Sequence, residues 1–228
     1  MLSRGIRYGF VVAGVLLIIA ANVWFVQAPD TLRAYTDLFF MNTAEFYDYK
    51  LDTFNIQYIV AFILYLNLLQ FAVLSDINES PSFIALMQYR CGSRKTFHLL
   101  LKEEIQELAK CIVLTIVTIM AVCILKGGLA VLVLEDAFLL LLYGLRFCVV
   151  VCAFLMVYNM ASVLENSTKG LLVISFGMIA LILLDVLSGL HWITFSGSWM
   201  VEGVMIVLTC LLLAVLYNFA LWKIRRGS

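Results

Sequence analysis

The sequence predicts an all-α membrane protein, with six transmembrane helices and a cytoplasmic helix between spans two and three. Three observations carry this. Mean hydropathy is +1.04 and only 13% of the 228 residues are charged, against about 25% in a soluble domain. Apolar residues come in runs of roughly 20, the length a helix needs to cross a hydrocarbon core about 30 Å thick. The runs are continuous and do not alternate, which favours helices over a β-barrel.

The spans are predicted at 9–26, 58–74, 111–125, 138–160, 170–190 and 201–222, in one domain over 1–228. The first follows basic residues, as a secretory signal does. Its apolar run is long, and the QAPDTLR after it is a poor cleavage site, so it is expected to remain as a span. Basic residues set the orientation. With the N-terminus inside, the inner segments hold Arg4, Arg7, Arg90, Arg94, Lys95, Lys102, Lys110, Lys169, Lys223, Arg225 and Arg226. The outer segments hold only Arg33, Lys50 and Lys126. Both termini are therefore expected in the cytoplasm. Five of the six cysteines fall in spans and Cys91 falls in an inner loop, so no disulfide framework is implied.

The inner loop 75–110 contains QYRCGSRKTFH, a basic, glycine-broken segment. Ser80 suits an N-cap, Pro81 the first helical position and Gly92 the position after a helix end. A short helix over 81–91 is predicted, with Phe83, Ile84 and Met87 favouring one side. Ser93 then caps a second helix running into span three, with an apolar stripe of Phe97, Leu100, Leu101, Ile105 and Leu108. The residues alone leave two readings open: a pair of interfacial helices, or a short helix presented to a cytoplasmic protein.

Within the spans, Arg146 and Asp185 are costly and therefore informative. Both lie about 21–22 Å from the inner end of their helices, so they are expected to pair, either as a structural link or with a part in substrate passage. The outer loop 27–57 mixes acids with aromatics, among them Asp37, Glu45, Phe46, Tyr47 and Asp48. These residues are candidate contacts for a cationic amphipathic peptide, although short helices lying at the outer interface are the favoured reading. Catalytic and metal sites are not expected. His98 and His191 fall on opposite sides of the membrane, G-x-x-x-x-G-K-[ST] is absent, and KEEIQE places Glu103, Glu104 and Glu107 near the cytoplasmic surface without a histidine to complete a site.

Tyr89, Arg90, Gly92, Ser93, Arg94, Lys95 and Phe97 match the pattern Y-R-x-G-S-R-[KR]-x-[FWY] between spans two and three. With the hydrophobic layout, this resembles the type-2 ABC transporter permeases, in particular the small permeases of bacteriocin and lantibiotic immunity or export systems. The resemblance implies that 81–91 is a coupling helix, with Phe83, Met87, Tyr89, Arg90, Gly92, Ser93, Arg94 and Lys95 coupling to an ATP-binding-cassette ATPase, and with Arg90, Arg94 and Lys95 near that subunit or near lipid phosphates. It implies no cofactor on this chain, ATP and Mg on the partner ATPase, and a second permease, either a copy or a paralogue. The implied setting is the bacterial cytoplasmic membrane with its lipid, with a peptide or other amphipathic substrate and no nucleic acid. The family usually places an amphipathic helix before the first span, for which only residues 1–8 remain here. The alternative from another class is a non-transporting anchor or sensor subunit of a membrane complex.

Overall fold

The computed structural model describes residues 4–26, 31–40, 47–48, 53–54, 56–74, 81–127, 133–164 and 198–227, with a few helical positions between 176 and 188. The described elements are α1 (Arg4–Val26), α2 (Leu32–Phe40), β1 (Tyr47–Asp48), β2 (Thr53–Phe54), α3 (Ile56–Leu74), α4 (Pro81–Cys91), α5 (Ser93–Gly127), α6 (Leu134–Leu164) and α7 (Trp199–Gly227). The strands form a two-residue antiparallel ladder, Tyr47 opposite Phe54 and Asp48 opposite Thr53. Everything else described is helical or connecting chain.

Among the described residues, four helical stretches are long and apolar enough to cross a membrane: Gly5–Asn22, Ser93–Lys126, Leu134–Leu164 and Trp199–Arg226. Val60–Leu74 is a shorter apolar helix. The predicted fifth span, 170–190, falls largely outside the described residues, as does the Ser80 cap.

Helix α5 is 35 residues long, about 52 Å, well beyond the hydrocarbon thickness. One stripe of it is buried from end to end: Phe97, Leu100, Leu101, Glu104, Leu108, Cys111, Ile112, Thr115, Ile119 and Cys123. That near-3.6-residue spacing places the whole helix against its neighbours as one unit. α1 and α3 pack on it and on each other, α6 packs along it, and α7 makes its most extensive contact with α6. Gly144 of α6 permits close approach, since a Cβ there would come within 2.7 Å of the Ile116 side chain on α5.

At one end of the bundle α2 is wedged between α3, α5 and α6. Its buried residues are Leu32, Tyr35, Thr36, Asp37, Leu38, Phe39 and Phe40. This corrects the expectation of a helix lying on the outer interface. The cause is aromatic packing: Phe39 meets Tyr65 at 5.1 Å between ring centroids, Phe40 meets Phe147 at 5.6 Å, and Tyr65 stacks on Phe147 at 5.8 Å. Lys126, closing α5, reaches the Tyr35 hydroxyl at 3.3 Å.

At the other end α4 lies against α5 and α6. Two helix C-termini are tied there by side chains. Arg7 donates to the Ala72 carbonyl of α3 at 3.4 Å, and Gln88 of α4 donates to the Val163 carbonyl of α6 at 2.6 Å. Such carbonyls have no partner within their own helix. Tyr8 donates to Glu107 at 2.6 Å, and Glu107 also pairs with Lys110 at 2.7 Å.

Candidate functional site

The elbow between α4 and α5 is built by a single glycine. Gly92 has φ of +80°, a left-handed conformation that costs an L side chain about 1–2 kcal/mol. Its N–H donates to the Gln88 carbonyl at 2.8 Å, closing α4. Its carbonyl accepts from the Thr96 N–H at 3.1 Å, opening α5. The predicted helix over 81–91 and its continuation into a long helix at Ser93 are therefore both present.

α4 has two apolar sides. Ile84 is buried, and Met87 and Gln88 are half-buried, at i, i+3 and i+4 toward the bundle. Phe83, Leu86, Tyr89 and Arg90 are exposed, Tyr89 to 90%. Phe83 and Met87, one turn apart, share a face that runs from buried Ile84 through half-buried Met87 to exposed Phe83. Ser93 is half-buried, and Arg94 and Lys95 are exposed. The elbow presents two aromatics and three cations together.

A second polar locus sits at the α2 end of α6. Arg146 is fully buried and forms an ion pair with Glu202, equally buried in the first turn of α7. An acid in that turn is also favoured by the helix dipole. Arg146 lies 12 residues into α6 and Glu202 only three into α7, so α6 extends about 13 Å beyond α7 at this end. Asp185, the partner expected from the sequence, is itself buried at 4% exposure, and its carbonyl accepts from the Ser188 hydroxyl at 3.3 Å. Glu202 is the functional-site residue that the sequence reading left unpaired.

A third locus joins α5 to α6 near the elbow. Glu104 has no exposed surface and accepts a hydrogen bond from the Asn159 side-chain amide. That amide also donates to the Leu155 carbonyl at 3.0 Å. Glu104 Oε1 and Asn159 Oδ1 are buried without a hydrogen-bond partner among the described residues. Glu104 was expected near the surface with Glu103 and Glu107. Its place on the Phe97–Leu101–Leu108 stripe was the signal for burial.

Asp37 is 5% exposed and borders a small pocket with Arg33, Thr36, Asp136, Leu139 and Tyr143. It packs toward α6, lining that pocket with Asp136, Leu139 and Tyr143. Tyr47 and Asp48 form β1, while Glu45 and Phe46 lie outside the described residues. No group of three or more His, Cys, Asp or Glu suited to a metal occurs among the described residues.

No family model, curated protein or solved structure matches the chain.

Proposed function

We propose that the chain is the permease subunit of an ATP-binding-cassette exporter of bacteria. In this reading it spans the cytoplasmic membrane six times with both termini inside. It pairs with a second permease, a copy or a paralogue, and two ATPase subunits carry ATP and Mg. The cargo is a peptide or other amphipathic molecule taken from the membrane or the cell.

One observation carries the reading. α4 is a short helix clamped to the bundle by Ile84, Met87 and the Gln88–Val163 bond, with a second face of Phe83, Leu86, Tyr89 and Arg90 turned outward. Aromatic and Arg anchors on an exposed face are typical of protein docking sites. The clamp gives a pushed helix something rigid to push on. The excess of Lys and Arg at this end agrees with a cytoplasmic location, where a soluble ATPase is found.

The test is copurification. The tagged chain, extracted in mild detergent from its native membrane, is expected to bring down an ATP-binding-cassette protein. Arg90→Glu with Arg94→Glu is expected to lose that protein while the chain still inserts in the membrane. Absence of any ATPase from the wild-type preparation, or its retention by the double variant, overturns the reading and favours an anchor or sensor subunit.

A further inference from the structure

We propose that the groove between the start of α5 and the C-terminal half of α7 binds the phosphate of an anionic phospholipid. The inference rests on this end of the bundle lying at a membrane–water interface, and is independent of the transport activity proposed above.

The groove has a volume of about 500 Å³. Its α5 wall carries Arg94, Lys95 and His98, its α7 wall carries Tyr217 and Leu221, and Cys91 and Gly92 close its end. One wall is thus basic and the other mostly apolar, the complement of a charged headgroup joined to a chain. Arg94 and His98 are one turn apart, so their donors stand on the same face. The Tyr217 hydroxyl lies 3.2 Å from His98 Nδ1. With the hydroxyl donating, the ring proton sits on Nε2 as a further donor. Among the described residues no acid lines the groove. The nearby carboxylates Glu104 and Glu107 are committed to Asn159 and to Tyr8 and Lys110.

Two further features select a lipid over free phosphate. Arg226 lies 4.1 Å over the Trp222 ring in the last turns of α7, and Trp with a basic neighbour is a usual anchor at headgroup level. Beyond Tyr217 the same face of α7 carries Ala214 and Cys210, small and exposed, which leaves a shallow track for an acyl chain.

Native mass spectrometry of the detergent-purified chain, titrated with dioleoyl phosphatidylglycerol, tests this. One lipid per chain is expected, and its binding should protect Cys91 from maleimide. Arg94→Gln with Lys95→Gln is expected to weaken binding about thirtyfold, the effect of two basic contacts at a membrane surface. Lys223→Gln, an exposed basic residue of the same end that does not line the groove, should stay within about threefold of wild type, less than the roughly fivefold of one direct basic contact. Equal binding of phosphatidylcholine, protection of Cys91 by inorganic phosphate alone, or unchanged binding by the Arg94/Lys95 variant overturns the proposal. Absence of an ATPase from the wild-type preparation with lipid binding intact removes only the transport reading. The converse result removes only the lipid site.

Discussion

Arg146 and Glu202 offer the sharpest test of how the bundle is held. Both side chains have no exposed surface, and their ion pair joins α6 to the first turn of α7. Arg146→Met leaves the Glu202 carboxylate buried without its cation. Breaking a buried pair from one side costs about 3–5 kcal/mol, which for a chain of this size lowers the melting temperature by roughly 10 °C. Arg146→Met with Glu202→Gln removes both charges, and most of that loss is expected to return, because the penalty comes from the stranded charge. The assay is thermal unfolding in a fixed detergent, followed by Trp fluorescence, on the single and double variants. Failure of Glu202→Gln to recover stability in the Arg146→Met background would refute the pairing as the source of the energy. Arg146→Met with Asp185→Asn reads the other sequence expectation. Recovery there as well means that Asp185 shares the guanidinium, and recovery confined to Glu202→Gln assigns the charge to the α6–α7 contact.

Four other outcomes follow from the same geometry. Glu104→Gln is expected to preserve or raise the melting temperature, since it supplies an N–H where Oε1 and Asn159 Oδ1 both lack a partner among the described residues; Glu104→Ala should cost about 1–3 kcal/mol by removing the acceptor of one Asn159 N–H. Gly92→Ala meets open space, so its cost is backbone strain alone, about 1–2 kcal/mol in the same melt. Phe40→Ala should destabilise by about 3–5 kcal/mol, whereas a helix resting on the interface would lose far less. A variant retaining Cys91 as its only cysteine should react with impermeant maleimide in inside-out vesicles and not in intact cells; the reverse pattern removes the cytoplasmic placement on which ATPase docking depends.

What the sequence made legible was punctuated locally. Pro81 can open a helix, Gly92 can end one, and Ser93 can start the next, so the elbow was readable to the residue. Apolar runs of bilayer length likewise announced α1, α5, α6 and α7. What stayed hidden depended on partners far along the chain. Glu202 looked like an ordinary acid at the start of a span, because its cation lies 56 residues away. Glu104 looked like a surface acid among Glu103, Gln106 and Glu107, because the local pattern KEEIQE is polar on most faces. The aromatics of α2 suited an interface equally well until Tyr65 and Phe147 supplied rings to pack against.

Three of the polar contacts between helices share one helix. α6 receives α4 through Gln88 at its C-terminal carbonyl, holds α5 through Asn159 and Glu104, and holds α7 through Arg146 and Glu202. Between those points Phe147 carries the rings of α2 and α3. A force applied at α4 through Gln88 therefore acts on α6, whose backbone is unbroken over about 26 Å from Val163 to Arg146. Packed helices shift between discrete arrangements more readily than they bend, so under the proposed function α6 is expected to move as a rod. In that case Gln88→Leu should uncouple ATPase stimulation from transport while leaving ATPase binding intact, since it cuts the fastening and spares the outward face of α4. If Gln88→Leu instead releases the ATPase, the Gln88 bond positions the docking face, and α6 is not the lever.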